Sequence, residues 1–287
     1  GIAGVTGSHS STGMGASMGM ASMGTGRSIM GVSGTKSAKT APAQRNRPFG
    51  DAVSYCSYFY QDAFALLTVR SSVLQYRFDP HSRDADDDLK RTLALGSYKL
   101  VSQWDFSSRA MDVTAAACLN AVQSPLVFCA TSDKFLHILD ASTGTVARTL
   151  PLPHARPAHC IALPQPSVHV GISPDAYNLF LTAATDNCIC LWDLRAPSLA
   201  ARYPSHNSRE AVGCALSPCL RYIALGSEDR YARVLDLGSG RELAKLGGPG
   251  NQGHRDCVTA VAYHPTLPLL ATAGFDGSVR FYADPHM

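Results

Sequence analysis

A segment with one pattern occurs five times in this chain, and the repetition constrains the fold more than any other feature. Each copy has a short apolar run, a tight turn built on a small or acidic residue, a second apolar run and a closing aspartate. In three copies the turn aspartate precedes the closing aspartate by seven residues, so the register repeats as well. The chain is therefore predicted to be a repeat protein. The copies begin at Phe64, Leu126, Leu179, Tyr222 and Leu269.

The spacing and residue types of the copies predict an all-β fold. A period of about 40 to 45 residues with four short strands per unit is typical of a β-propeller blade. Short runs rich in β-branched and aromatic residues are bounded by Gly, Pro, Ser and Asp, and no long helical stripe interrupts them. We expect five recognisable four-stranded blades, at about 51–106, 107–151, 152–203, 204–247 and 248–287.

Two short motifs resemble the signatures of the WD-repeat family of β-propellers. They are Leu191-Trp192-Asp193 in the third copy and Gly253-His254 ahead of the fifth. In that family a loop His, a Ser or Thr on the second strand, the turn Asp and a third-strand Trp form a buried hydrogen-bonded tetrad. The resemblance implies a structural tetrad, rather than a catalytic one, in two blades. Its members would be His154, Thr182, Asp186 and Trp192 in the third blade, and His254, Thr272, Asp276 and Tyr282 in the fifth.

The family usually closes its ring with seven blades, whereas five are recognisable here. We therefore expect this chain to be part of a longer propeller, with the fourth strand of its last blade supplied from elsewhere. The first, second and fourth blades depart from the tetrad pattern. In the fourth, Leu225 and Leu235 occupy the positions of the Thr and the Trp.

The first fifty residues differ in kind from the repeats. They are rich in Gly, Ser, Met, Ala and Thr, contain no Asp or Glu, and include five basic residues. Such a composition buries too little apolar surface to offset the entropy of ordering the chain. Residues 1–50 are predicted to be a flexible basic linker or extension.

Neither a metal nor a cofactor is predicted. The glycines of the first fifty residues miss the spacing of a dinucleotide-binding loop. Cys188 and Cys190 lie two apart on a predicted strand without a second pair at zinc spacing, so buried reduced thiols are the favoured interpretation over a metal site. The acidic run at Asp84, Asp86, Asp87 and Asp88 favours a solvated loop over a calcium site, because its spacing matches no known calcium loop.

Several functional classes are disfavoured by the sequence. No nucleophile elbow, phosphate loop or pair of carboxylates at productive spacing is present, so we expect no enzyme. A net charge of +3, with aromatic residues not interleaved among the basic ones, does not predict specific nucleic-acid binding. The absence of a secretory signal or long apolar segment predicts an intracellular chain that does not enter the membrane.

What remains for function is the surface. The resemblance implies that partners bind the face where the turns between second and third strands meet the loops that enter each blade. A cationic rim with one aromatic residue would suit an acidic peptide or protein surface, although ordinary turn residues are an equal alternative. The candidates are Arg70, Lys134, Asn187, Arg230 and Phe275, with Arg255 beside His254.

Two functions are left open. The first is a non-catalytic scaffold that joins proteins into a larger assembly, as WD-repeat proteins do in cilia and on microtubules, where a basic extension could lie on an acidic lattice. The second is a substrate receptor of a cullin-type ubiquitin ligase. Trp192-Asp193-Leu194-Arg195 resembles the element by which some WD-repeat proteins engage the ligase adaptor, with Arg195 as the contacting residue.

Overall fold

The computed structural model describes the repeats but not the whole chain. The described residues are 51–78, 98–106, 111–120, 124–165, 177–196, 198–247 and 253–283. The predicted extension at 1–50 and the acidic run between Asp84 and Asp88 lie outside these ranges. Within them, no helix has the length and apolar character needed to cross a membrane.

The described residues form nineteen strands in five antiparallel sheets, and in each sheet neighbouring strands follow one another in the chain. Sheet 1 contains β1 (Val53–Phe59), β2 (Phe64–Val69), β3 (Ser72–Phe78) and β4 (Tyr98–Asp105). Sheet 2 contains β5 (Val113–Cys118), β6 (Leu126–Thr131), β7 (Phe135–Asp140) and β8 (Thr145–Pro151). Sheet 3 contains β9 (Ala158–Ala162), β10 (Leu179–Ala184), β11 (Cys188–Asp193) and β12 (Leu199–Pro204).

The last two sheets are less regular. Sheet 4 contains β13 (Cys214–Leu216), β14 (Tyr222–Leu225), β15 (Tyr231–Asp236) and β16 (Glu242–Gly247). Sheet 5 contains β17 (Val258–Tyr263), β18 (Leu269–Gly274) and β19 (Val279–Ala283). The all-β prediction is confirmed. Four strands per blade are observed in sheets 1 to 4, whereas the part of sheet 5 that the structure describes has three.

The turns between the second and third strands share one backbone feature in every sheet. One residue in each of these turns has a positive φ, which reverses the chain within a few residues and brings the two strands into antiparallel register. The residue is glycine only in sheet 5, so the other four turns hold a side chain in the left-handed region. The φ angles are 50° at Arg70, 67° at Lys134, 61° at Asn187, 73° at Arg230 and 71° at Gly277.

The middle strands of the inner sheets are buried on both faces. In β6, Phe128 and Ala130 pack with residues of sheet 3, whereas Val127 and Cys129 pack with residues of sheet 1. This alternation follows from the two-residue period of a strand. Because both faces are covered, the strand has the continuous apolar sequence LVFCAT instead of an alternating one. The four apolar clusters each join two consecutive sheets.

The first strands of sheets 3, 4 and 5 lie next to one another, and the backbones approach closely at Gly213 and Gly226. Gly213 donates its N–H to the carbonyl of Thr259 at 2.8 Å, and Gly226 donates to the carbonyl of Gly213 at 3.0 Å. These bonds tie the residue before β13 to the next sheet and to the residue that follows β14. A Cβ atom on Gly226 would lie 2.2 Å from the Val258 carbonyl oxygen, so only glycine fits there.

We therefore expect Gly226→Ala to lower the free energy of unfolding by about 1–3 kcal/mol, because the added methyl group overlaps a backbone atom that cannot move alone. Gly238→Ala is the matched control, since Gly238 is exposed and an added Cβ would lie 3.6 Å from its nearest neighbour. Urea unfolding followed by circular dichroism measures both variants. Equal midpoints would show that sheets 4 and 5 are not in close contact at Gly226.

Candidate functional site

The structure brings together the four polar residues predicted in the third blade. His154 enters from the loop before β9, Thr182 lies on β10, Asp186 in the following turn and Trp192 on β11. The His154 ring is 2.9 Å from the Thr182 hydroxyl through Nε2 and 3.1 Å from the Asp186 carboxylate through Nδ1. Trp192 Nε1 donates to the Thr182 hydroxyl at 2.9 Å. The four side chains thus form one continuous hydrogen-bonded chain from Trp192 to Asp186.

One arrangement of protons satisfies every member of this chain. Trp192 can only donate, so the Thr182 hydroxyl accepts from the indole and donates its own proton to His154 Nε2. His154 then donates from Nδ1 to Asp186, as a neutral imidazole. Burial lowers the pKa of His154, and the carboxylate of Asp186 opposes this only in part. The neutral ring that the hydrogen bonds require is therefore also the form that burial favours.

The carboxylate of Asp186 remains ionised in this setting. Burial raises its pKa, but the N–H of Ala155 at 2.9 Å and the nearby His154 outweigh burial, and the net pKa is lowered. The same carboxylate is 3.3 Å from the N–H of Cys188 and so also holds the turn to the start of β11. Asp186 therefore connects a loop, a turn and a strand.

The predicted residues of the fifth blade adopt the same arrangement. His254 lies 2.8 Å from the Thr272 hydroxyl through Nε2 and 3.1 Å from Asp276 through Nδ1, and Tyr282 hydrogen-bonds to Thr272 in place of the indole. Burial raises the pKa of Asp276, but the N–H of Arg255 and the Ser278 hydroxyl hold it well below its usual range. His254 is only 1% exposed and His154 3%, so substrate could not reach either ring.

Sheet 4 contains a different polar network, which sequence reasoning missed. Arg233 on β15 is buried and donates to the Ser227 hydroxyl at 2.9 Å and to the Asp229 carboxylate at 3.1 and 2.5 Å. Its Nε donates to Glu242 on β16 at 3.0 Å. The sequence signal was an arginine inside an apolar strand, four residues after the turn aspartate. The tetrad pattern does not indicate it, because Arg233 lies two residues before Leu235, which has the position of the Trp on the third strand.

Arg233 controls the ionisation of its partner. Burial raises the pKa of Asp229, but the hydrogen bonds from Arg233 and Ser227 outweigh burial, and the pKa falls to about 2. The guanidinium takes the place that the imidazole has in sheets 3 and 5. Both tie the turn aspartate to the interior of its sheet, and with Arg233 the contact is an ion pair.

The structure also brings a histidine to Cys188 and Cys190. The ligand-capable atoms of His154, Cys188 and Cys190 all lie within 4.8 Å of one another. Spacing in the sequence did not reveal this proximity, because His154 is 34 residues from Cys188. Arg202 donates to Cys188 Sγ at 3.1 Å, and this cation disfavours a second positive charge at the thiol. In sheet 5, Ser278 occupies the position of Cys188 and lies 3.1 Å from His254 Nδ1. We therefore assign Cys188 to the tetrad of sheet 3 and Ser278 to the tetrad of sheet 5.

The surface candidates fall into two groups. Because the strands are antiparallel, the turns between second and third strands lie at one end of each sheet and the turn after the third strand at the other. Arg195 lies in the turn between β11 and β12 and is therefore at the opposite end from the rest. The first group contains Arg70, Lys134, Asn187, Arg230 and Phe275, with Arg255 in the loop that enters sheet 5.

Not all of the first group is equally available to a partner. The Asn187 side chain accepts the N–H of Asn207 at 3.0 Å, so it holds a neighbouring loop. Arg70 lies 3.4 Å from the Asp112 carboxylate in an exposed ion pair, which contributes little to stability. Phe275 is 60% exposed. Cations and one aromatic ring are therefore presented at this end, and binding of an acidic partner by them stays a prediction.

Comparison with known proteins agrees with these observations. Residues 248–282, which include the His254 tetrad, match the family model described as WD domain, G-beta repeat. WD40 repeat-containing protein smu1 of Dictyostelium discoideum is 28% identical over 103 residues, 36% of this chain and 18% of that protein. Telomerase Cajal body protein 1 of Mesocricetus auratus is 29% identical over 121 residues, 41% of this chain and 22% of that protein.

Two further likenesses complete the comparison. The U5 small nuclear ribonucleoprotein 40 kDa protein of Mus musculus is 38% identical over 72 residues, 25% of this chain and 19% of that protein. The chain thus spans about a fifth of the length of these relatives. A chain of the crystal structure of the mitotic checkpoint complex superposes with a TM-score of 0.59 at 17% identity, covering 82% of this chain and 64% of that one.

The fold is that of a β-propeller built from four-stranded antiparallel sheets, as predicted. The comparisons show similarity to WD40-repeat proteins, with a matching repeat at residues 248–282. Within that class, sheets 3 and 5 carry the full hydrogen-bonded tetrad and sheet 4 carries an arginine in its place.

The tetrad of sheet 3 predicts the effect of removing one hydroxyl. Thr182→Val keeps the shape of the side chain but leaves Trp192 Nε1 and His154 Nε2 without their shared partner. We expect the free energy of unfolding to fall by about 1–3 kcal/mol. Thr145→Val on the exposed strand β8 is the control and should change it little. Chemical denaturation of the two variants gives the comparison, and an equal loss in both would contradict a special role for Thr182.

The ion pair of sheet 4 predicts an acid-sensitive contribution. Since the pKa of Asp229 in the folded state, about 2, lies below its ordinary value of 3.8, its stabilisation is complete above the ordinary value and is lost as the pH falls towards the folded one. Asp229→Asn should therefore be less stable than the wild type at pH 7 and should lose less stability between roughly pH 4 and pH 2.

A double-mutant cycle isolates the partner in that contribution. In the Arg233→Met background, Asp229→Asn should have a smaller effect at pH 7 than it has in the wild type, because the two changes remove the same contact. Additive effects of the two substitutions would mean that Arg233 does not lower the pKa of Asp229.

Proposed function

We propose that this chain is a non-catalytic protein-interaction scaffold within a larger intracellular assembly. The observation that supports this most directly is the internal use of its reactive side chains. The histidines, aspartates and hydroxyls that could resemble a hydrolytic site are buried and spend their hydrogen-bonding capacity on one another. What the repeats present to solvent is turns and loops on a rigid frame, and such surfaces bind partners.

The turn end of the sheets is the proposed contact surface. Lys134 and Arg230 lie at the tips of the turns of sheets 2 and 4, and Arg255 follows the tetrad histidine of sheet 5. The turn aspartates accept the N–H of Arg255 and the N–H groups of Phe135 and Tyr231, which follow Lys134 and Arg230, so the charges are displayed at defined positions. Phe275 adds an exposed apolar contact. An acidic peptide or protein surface carrying an apolar side chain fits this combination.

The proposal also concerns the kind of assembly that the chain joins. The order of features outside the repeats, such as Ser54-Tyr55-Cys56-Ser57-Tyr58-Phe59-Tyr60, resembles the carboxy-terminal part of WD repeat-containing protein 27. A place in a hetero-complex, including a ciliary or other microtubule-associated assembly with an acidic lattice, would suit the exposed cations and the basic composition of residues 1–50. The nuclear ribonucleoprotein and the Cajal body protein among the relatives make the nucleus a second compartment to test.

The scaffold proposal predicts that charge reversal at the turn end removes partners. Lys134→Glu combined with Arg230→Glu should reduce co-purified partners at least about tenfold, because complementary charges fix the orientation of binding. The control is Lys99→Glu with Arg241→Glu, which changes net charge equally at exposed positions outside these turns. Quantitative mass spectrometry of affinity-purified complexes from cells measures both. Equal recovery in the two double variants, with normal circular dichroism, would contradict the proposed surface.

A specific observation keeps the ubiquitin-ligase alternative open. The turn that carries Arg195 is held by Arg148, which donates to the carbonyls of Leu194 at 3.0 Å and Ala196 at 3.3 Å. Arg195 itself pairs with Asp193 at 2.8 Å and is 53% exposed, so its guanidinium lies at the surface in a fixed turn. In the same purifications, recovery of the ligase adaptor with the wild type and its loss with Arg195→Ala would favour this function. If the adaptor is not recovered with the wild type, the ubiquitin-ligase function is excluded.

A further inference from the structure

Two cysteines from neighbouring sheets are in direct contact. Cys160 lies on β9 and Cys214 is the first residue of β13, the innermost strands of sheets 3 and 4. Their sulfur atoms are 3.8 Å apart, although the residues are 54 positions apart in the chain. A disulfide would need the sulfurs to close from 3.8 Å to about 2.05 Å, and Cys214 is the first residue of the short strand β13.

The pair is also reachable by a small molecule. Cys160 is half-buried and borders a cavity of about 230 Å³ that is shared with Ser54, Thr114 and His159. Cys214 borders a second cavity, of about 550 Å³, together with Cys118 and Tyr263. Both cavities are lined mainly by the first strands of the sheets. Each cysteine of the pair therefore borders a space large enough for a molecule as small as hydrogen peroxide.

The contact between the two thiols also shifts their pKa values in opposite directions. The hydrogen bond from Cys214 lowers the pKa of Cys160 to about 7 against the effect of burial, whereas the pKa of Cys214 is raised by its bond to Cys160 and by burial. Elsewhere, burial raises the pKa of the thiols of Cys118, Cys129 and Cys190. Thiolates are the reactive form, and Cys160 is also the less buried of the two thiols, so Cys160 is the nucleophile of the pair.

We propose that Cys160 and Cys214 form a redox-active dithiol whose oxidation by hydrogen peroxide links sheets 3 and 4. The Cys160 thiolate attacks one peroxide oxygen, the O–O bond breaks, and after uptake of a proton the products are a sulfenic acid at Cys160 and one water. Cys214 then loses its proton and attacks the Cys160 sulfur, which expels hydroxide that takes up that proton as a second water. Two thiols are oxidised to one disulfide, and one peroxide is reduced to two waters.

Oxidation would act on the inner edge of the fold. The new bond would join β9 to β13, which also contact each other in the reduced form. A covalent link between segments far apart in sequence restricts the unfolded chain and so stabilises the folded one. In a reducing compartment such a bond is transient and serves sensing rather than permanent stability. The predicted signature is thus a reversible gain in thermal stability.

The test uses the wild-type protein. Reduced protein is exposed to a small excess of hydrogen peroxide, remaining thiols are blocked with N-ethylmaleimide, and chymotryptic peptides are analysed by mass spectrometry. Chymotrypsin cleaves at Tyr177 and Phe180 and so separates Cys160 from Cys188. We expect a linked peptide that contains Cys160 and Cys214 and has lost two hydrogen atoms, together with a thermal midpoint that rises and returns after dithiothreitol.

Two variants distinguish this site from the other thiols. Cys214→Ser should leave Cys160 as a sulfenic acid, trapped by dimedone, without the gain in midpoint. Cys190→Ser, which removes a buried thiol of sheet 3 outside the pair, should still give the linked peptide. The proposal would be overturned if the folded wild type gave no Cys160–Cys214 linkage, or if its oxidation joined Cys188 to Cys190 instead.

Discussion

Burial of the sheets on both faces is the constraint on which the rest of the structure depends. A strand such as β6 contacts sheet 1 through Val127 and Cys129 and sheet 3 through Phe128 and Ala130. No inner sheet therefore has a face of its own for polar groups, and its polar side chains must lie at the strand ends or satisfy one another. The tetrads follow from this packing, because they place polar side chains in the interior only where each finds a hydrogen-bonding partner.

The tetrads show how a polar group enters such an interior. Thr182 is fully buried, yet its hydroxyl both accepts from Trp192 and donates to His154, so none of its capacity is lost. Sheet 4 meets the same requirement with other chemistry, since Arg233 is satisfied by Ser227, Asp229 and Glu242. A repeat can thus lose the family pattern and keep a connection between its turn aspartate and its core. This conserves the geometry of the turn that presents Arg230 to solvent.

Much of this site could be predicted because it is local in the repeat. The four-residue interval from Thr182 to Asp186 and the six-residue interval from Asp186 to Trp192 belong to one hairpin, where register follows from the turn. His154 was added only through the family resemblance. Arg233 was missed because its role depends on which face of β15 meets Ser227 and Glu242, and a strand sequence that is apolar on both faces does not show this.

The sequence by itself determined the class of fold, the positions of the hairpins and the hairpin residues of the two tetrads, since these depend on periodicity and on contacts within one hairpin. The tertiary structure alone decided what meets across repeats. The close approach of Gly226 to Val258 and the contact of Cys160 with Cys214 both join segments of different repeats. The physical reason is that packing between sheets depends on the relative placement of whole sheets, and local periodicity carries no information about it.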